Sequence, residues 1–364
     1  MPPRNRFNAT VAPKGERWRF GTPVGGGFIE TERNSINDIY GETADCQSLW
    51  IEKWKVNGGV INNDYYSFWA GTFVNYRADA LQESNFGHLD LESYMDIPNN
   101  NEAATSAAAR TSPSKAYVDL TANMLELFDI AHMIRSYGET LIKKVARGNL
   151  ALEFGMKPIV GDLAKLLVFQ EQVDRRVQVL QKLRDTGSYR KTVVIGAYER
   201  FATANFVAQS ADAFIMVPKA VHTMLLIKAH CRWIPSVDMS KMTNPTMGAL
   251  ARRAIVHRGV DFAALWEAMP WSWLLDWCGN VGQFLAANRN TVPATLSGVS
   301  IMRHTKTIHT TPSFSDPSSG NRFMEPISST RETKLRQGGI VSPSAHWPFL
   351  SASQMGILAS LSVR

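Results

Sequence analysis

The chain has 364 residues, 45% of them hydrophobic and 20% charged, with 39 Lys/Arg against 32 Asp/Glu and a formal charge of +7. That much apolar material supports a real core and excludes wholesale disorder. No run of about 18 apolar residues occurs, which excludes a membrane-spanning helix.

The charge is uneven. Residues 1–116 hold 11 Lys/Arg against 14 Asp/Glu, a net of −3, and residues 117–364 hold 28 against 18, a net of +10. Such asymmetry suggests a polyanion partner for one part and a different partner for the other, although ordinary surface solubility also accommodates it. Cys46, Cys231 and Cys278 are an odd, scattered set without a Cys-x-x-Cys. This argues against a disulfide framework or zinc site and for synthesis in a reducing cytosol. The first residues lack the apolar core of a signal peptide, so a protein acting outside the cell would be carried there.

Residues 1–20 read as a basic arm (Arg4, Arg6, Lys14, Arg17 and Arg19 against Glu16), either a solvated tail or a strip lying on a nucleic-acid backbone, with the tail favoured. Residues 22–27 form a turn. From 47 to 77 the pattern is β-like and aromatic, with Asn57-Gly58-Gly59 and Asn62-Asn63-Asp64 as hairpin-type breaks. Residues 99–115, biased to Asn, Ala, Ser and Thr, read as a flexible loop or linker. Residues 117–147 carry the longest helical stripe, with acids early and bases late, as the helix dipole prefers. After Gly148-Asn149 and a tight connection, a second helix runs from Gly161-Asp162 to about Arg184. Its outward cations are Lys165, Arg175, Arg176, Lys182 and Arg184.

Past Thr186-Gly187 the period becomes two. Val221, Leu225, Ile227, Cys231 and Trp233 alternate with His222, Lys228, His230 and Arg232, a half-buried antiparallel strand with a basic outer face. Asn244-Pro245 opens a helix to about Val256 that ends in Arg252, Arg253, His257 and Arg258. Pro270 suits the first position of the next helix. There Trp273, Trp277, Val281 and Phe284/Leu285 form a buried stripe, and Asp276, Asn280 and Gln283 a polar one. Strands return from Ala294, residues 312–321 form a turn-rich loop, and the tail from Trp347 to Leu361 is apolar enough to pack as a short helix.

Two of these stretches carry a resemblance. Pro270-Trp271-Ser272-Trp273-Leu274-Leu275-Asp276-Trp277, followed by Asn280-Val281-Gly282, resembles the signature helix of maturation (A) proteins of small single-stranded RNA bacteriophages. Leu152-Glu153-Phe154-Gly155-Met156-Lys157-Pro158-Ile159-Val160-Gly161-Asp162-Leu163 is similar to a second element of that family. The two blocks occur in the family's order and cover only the helical part of the chain. The resemblance implies a virion protein, made in the host cytoplasm and present once per particle in place of a coat-protein dimer. Its helical region would grip stem-loops of the viral genomic RNA, including the 3′ end. Its β region would attach to a bacterial pilus, and the protein would accompany the RNA into the host.

The element order β, two long helices, β, two helices, β, without βαβ alternation, predicts an α+β fold. The expected molecule is elongated, with a helical bundle region at one end and a long, mostly antiparallel β-sheet region at the other. Residues 1–116, 187–244 and 293–345 would form the outward β region. Residues 117–186 and 245–292 would form the helical, RNA-facing region, and residues 346–364 a tail on the body.

No Gly-x-Ser-x-Gly, Walker A loop or His-Glu-x-x-His is present, and no His lies near the Ser272/Asp276 pair in sequence. The chain reads as a non-enzyme with no cofactor and no metal. The RNA-binding candidates are Lys143, Lys144, Arg147, Arg175, Arg176, Lys182, Arg252, Arg253 and Arg258, cations of packed helices able to neutralise phosphates. A solvated face fits the same composition, and the resemblance favours RNA. Trp273, Trp277, Asp276, Pro270 and Pro158 are the structural candidates. Asp276 is read as partnered, because unpaired burial is costly. The alternative is a cytosolic structured-RNA-binding protein without a virion role.

Overall fold

A computed structural model describes residues 5–19, 22–23, 26–38, 48–63, 72–77, 91–115, 118–119, 169–210, 213–257, 266, 269, 276, 279–316 and 322–344. In chain order the strands are β1 (Asn5–Pro13), β2 (Glu16–Arg19), β3 (Thr22–Pro23), β4 (Phe28–Asp38), β5 (Leu49–Gly58), β6 (Val60–Asn63), β7 (Thr72–Arg77), β8 (Val118–Asp119), β9 (Tyr189–Ser210), β10 (Ala213–Pro235), β11 (Val256–His257), β12 (Ala294–Thr311), β13 (Phe314–Asp316), β14 (Arg322–Met324) and β15 (Ile327–Gly339). The helices are α1 (Asn100–Thr111), α2 (Phe169–Thr186), α3 (Asn244–Ile255) and α4 (Val281–Ala287), with a 3₁₀ turn at Glu92–Tyr94.

The α+β expectation with a helical bundle region is overturned. The protein is mostly antiparallel β-sheet, with only these four helices among the described residues. One sheet has seven strands in the order β1-β4-β5-β15-β12-β10-β9, and another has six in the order β13-β14-β6-β7-β2-β3. The pair β8·β11 is parallel. The physical reason is strand length: β9 and β10 run for 22 and 23 residues, against an ordinary mean of about 5–6. The two-residue period extends well beyond 221–233. Of the predicted helix over 117–147 only Val118 and Asp119 are described, and they form strand β8; of the helix predicted from Pro270, residues 270–275 and 277–278 lie outside the described residues.

Three further expectations change. The basic arm is no tail, because β1 pairs antiparallel with β4 and β2 pairs with β7. Asn57-Gly58-Gly59 is no hairpin turn: β5 belongs to the seven-stranded sheet and β6 to the six-stranded one, so the glycines carry the chain between sheets. Gly58 has φ +77°, and a Cβ there would lie 1.9 Å from the Pro326 carbonyl oxygen, which leaves no room for another residue. The third change concerns 99–115, where the expected linker is helix α1. Asn99 accepts from the Asn101 and Glu102 amides, and Glu102 accepts from the Asn99 amide, a complete capping box. Alanine, the best helix former, fills the body. Ala103, Ala104, Ala107 and Ala108 are fully buried.

The chain divides into two compact units, one of residues 1–98, 194–228 and 300–338, the other of 99–193, 229–299 and 339–364. The first unit buries Ile29, Trp54, Val56, Ile61, Tyr76, Leu225, Ile227, Ile301 and Met324. There Glu92 accepts from Arg303 and Thr305, Arg303 also donates to the Pro98 carbonyl, and the Leu91 amide donates to Thr223. These contacts pin residues 91–98 on one face of the sheet. The second unit buries Val173, Leu180, Leu183, Cys231, Trp233, Met247, Ala251, Ala254 and Val292 with the face of α1. In it, Thr111 accepts from the Trp233 indole at 3.1 Å, so the end of α1 docks on the end of β10.

Candidate nucleic-acid interface

The candidate cations belong to the second unit. Helix α2 packs against α3. Arg184, at the end of α2, donates to Asp185, to the Met242 carbonyl and to Asn244, which ties that end to the start of α3. Val173, Leu180 and Leu183 of α2 and Met247, Ala251 and Ala254 of α3 are buried, consistent with one apolar stripe on each helix.

The two adjacent arginines of α2 part company. Arg175 is exposed and paired with Glu171 one turn earlier. Arg176 turns inward: Nη1 donates to the carbonyls of Ser112 (3.1 Å) and Pro113 (2.5 Å), and Nη2 to that of Lys115 (2.9 Å). Three carbonyls just past the end of α1 are thereby satisfied by one planar fork. Burial pulls the Arg176 guanidinium below its ordinary pKa, with Tyr189 acting the other way. Arg176 therefore differs from the outward cation expected: three of its N–H groups are given to backbone carbonyls. Lys182, Arg252 and Arg253 are exposed, the last two in the final turn of α3. There the helix dipole favours positive charge. Lys143, Lys144, Arg147 and Arg258 lie outside the described residues, as do Trp273, Trp277, Pro270 and Pro158. Sequence reasoning passed over Lys191 and Lys241, two further exposed cations of this unit, because neither sits on a helical stripe.

The charge partition follows the units. By sequence, the second unit holds 21 Lys/Arg against 14 Asp/Glu, a net of +7, and the first holds 18 against 18, a net of zero. The whole formal charge of the protein resides in the unit that contains α2 and α3.

Two of the three residues of the polar stripe, Asp276 and Asn280, are engaged within the fold. The Trp266 indole donates to Asp276 Oδ2 at 3.1 Å, and the Gly282 amide donates to Asp276 Oδ1 at 2.9 Å. Asn280 donates through Nδ2 to the Ser342 carbonyl and accepts at Oδ1 from the Ser344 amide, while its own amide donates to the Ser344 carbonyl. Thr105 of α1 exchanges two further hydrogen bonds with Ser342. Residues 340–344 are thus laced to both α1 and Asn280. The predicted continuous helix from Pro270 through Phe284/Leu285 is interrupted, because Asn280 (φ −116°, ψ 30°) is the N-cap of the separate helix α4. The Asn280 amide is given to Ser344 rather than to a preceding turn. Gln283 remains exposed.

Among the described residues no group of three or more His, Cys, Asp or Glu is placed to hold a metal ion. No described helix is long and apolar enough to cross a membrane. No protein-family model matches the chain, and no curated protein sequence matches it.

Proposed function

We propose that this protein is a phage maturation and attachment protein. One copy resides in each virion, holds stem-loops of the genomic single-stranded RNA with its second unit, contacts the coat protein, and uses its first unit to attach to a host pilus. It then accompanies the RNA into the cell. The observation that carries this reading is the charge partition: a net of +7 in the helix-bearing unit and zero in the other. A net positive surface attracts a polyanion, which supports giving the stem-loops to the second unit. The same unit contains both stretches that resemble the family, 152–163 and 270–282. In this reading Lys182, Arg252 and Arg253, all exposed, contact the phosphates.

The test is a reconstruction of assembled particles by electron cryomicroscopy without imposed symmetry, joined to adsorption assays. One copy per particle with the second unit on RNA is expected. Substitutions in 83–98 or 312–325 should abolish pilus adsorption while sparing RNA packaging. Packaging loss with normal adsorption would reverse the assignment of the two units, and a particle that assembles fully without the protein would end it.

A further inference from the structure

The first unit, neutral overall, has one sheet face that is not neutral. On β5, Glu52, Trp54 and Val56 are buried while Lys53 and Lys55 are exposed. The register places Glu332 of β15 opposite Lys53 and Thr330 opposite Lys55, so Lys334 and Arg336 share that face. On β12 the buried Thr305, Thr307 and His309 alternate with His304, Lys306 and Ile308. On β10 the buried Val221 to Ala229 alternate with His222, Met224, Leu226 and Lys228. Residues 91–98 pack on the opposite face, through Thr223, Arg303 and Thr305. Lysines two apart on a strand stand about 7 Å from each other, and neighbouring strands about 4.8 Å apart. The result is a grid of cations across four adjacent strands.

The carboxylates on this face are mostly engaged already. Glu332 accepts from His304 at 2.7 Å and pairs with Lys334 at 2.9 Å. Glu199 accepts from His222 Nε2 at 2.5 Å. Glu32, opposite Lys55 in the register, accepts from Asn34 Nδ2 at 3.3 Å. Among the described residues no carboxylate pairs with Lys53, Lys55, Lys228 or Lys306. The grid also ends in an aromatic platform. The Phe201 ring stacks on His222 with centroids 4.0 Å apart and planes 14° apart, yet Phe201 is 69% exposed. The Glu199 bond holds the imidazole that supports it.

We infer that this face binds single-stranded nucleic acid, with Lys53, Lys55, Lys228 and Lys306 on the phosphates and Phe201 stacking on a base. Charge complementarity alone would also admit an acidic protein. The buttressed, solvent-facing ring decides for nucleic acid, because bases stack on aromatic side chains in a sequence-tolerant way. This goes beyond the reading above, which assigns RNA to the second unit, and does not require it.

The experiment titrates the full chain with a short fluorescent oligouridylate at several salt concentrations, and in parallel with poly-L-glutamate. Lys53→Gln/Lys55→Gln/Lys306→Gln should weaken oligouridylate binding about tenfold or more at low salt and flatten the salt dependence. Phe201→Leu should weaken it roughly tenfold and leave poly-L-glutamate unaffected. Lys53→Arg/Lys55→Arg should retain binding. Unchanged oligouridylate affinity in the triple variant overturns the inference. So does a silent Phe201→Leu together with equal loss of oligouridylate and poly-L-glutamate binding in the triple variant, which would identify an acidic protein surface. Stem-loop binding is read separately through Arg252 and Arg253, so its loss bears on the preceding proposal only.

Discussion

Asp276 and Gly282 are bound to each other by geometry: the Gly282 amide donates to Asp276 Oδ1 at 2.9 Å, and a Cβ on Gly282 would lie 2.6 Å from Asp276 Oδ2. The carboxylate satisfies an amide in the first turn of α4, where the N-cap Asn280 makes no side-chain cap of its own. It can approach only because residue 282 has no side chain. With Trp266 on the other oxygen, the carboxylate joins two stretches flanking the tryptophan-rich segment.

Asp276→Asn keeps one acceptor and loses the charge, and is expected to cost about 1–2 kcal/mol. Gly282→Ala, which forces the carboxylate away, should cost a similar amount. Because both act on one contact, the double variant should be less destabilised than the sum of the singles. Denaturant unfolding of the four proteins measures this, and strict additivity would break the proposed link.

Arg176→Gln should lower stability by about 2–4 kcal/mol, because it strips the carbonyls of Ser112, Pro113 and Lys115 of a charged donor. Its folded fraction should bind RNA with the parent's salt slope. A flattened slope with an unchanged melting temperature would return Arg176 to the nucleic-acid surface.

Arg252→Ala/Arg253→Ala should behave in the opposite way. Both side chains are exposed at the end of α3, so the melting temperature should move little. Binding to stem-loop RNA should weaken, and the slope of log K against log salt should shrink by about 1–2. An unaltered slope removes these two residues from the interface.

The cluster on the open sheet face supplies a pH test. Lys334, hydrogen-bonded to Glu332, holds its carboxyl below the ordinary 4.5; partial burial opposes this, and His304 adds to the lowering. A carboxyl depressed in the folded state contributes stability that is fully present above its unfolded value and lost as pH falls through the folded one. The parent should therefore lose more stability than Lys334→Gln on acidification from about pH 5 to pH 3. Denaturant midpoints across that range give the comparison, and parallel curves would rule the pair out as a source of acid sensitivity.

How far the residues announced their structure depended on whether the signal was local. The alternation in β10 was legible because every second residue from Val221 to Trp233 is apolar or small. The start of α3 was legible to within one residue from Asn244-Pro245. Residues 100–111 were misread because an alanine-rich run without large apolar residues resembles a linker by composition. Its burial comes from close packing with α4 and residues 340–344, and its cap is the Asn99–Glu102 pair. The basic arm was misread because β1 is a strand only through its partner β4. Arg175 and Arg176 look alike in sequence, and only the position of the Ser112–Lys115 carbonyls separates an exposed cation from an internal clamp.

By itself, then, the sequence determined the alternation of strands, the presence of a core, the concentration of positive charge after residue 116 and the grouping of Asp276, Asn280 and Gly282 in one short stretch. These depend on composition and on neighbours a few residues away. The tertiary structure decided which cations remain available, that Asp276 closes on Trp266 and Asn280 on Ser342 and Ser344, and that a neutral unit carries a lysine grid on one sheet face. Each of those is set by residues tens to hundreds of positions apart, whose meeting depends on strand pairing and packing rather than on any local preference.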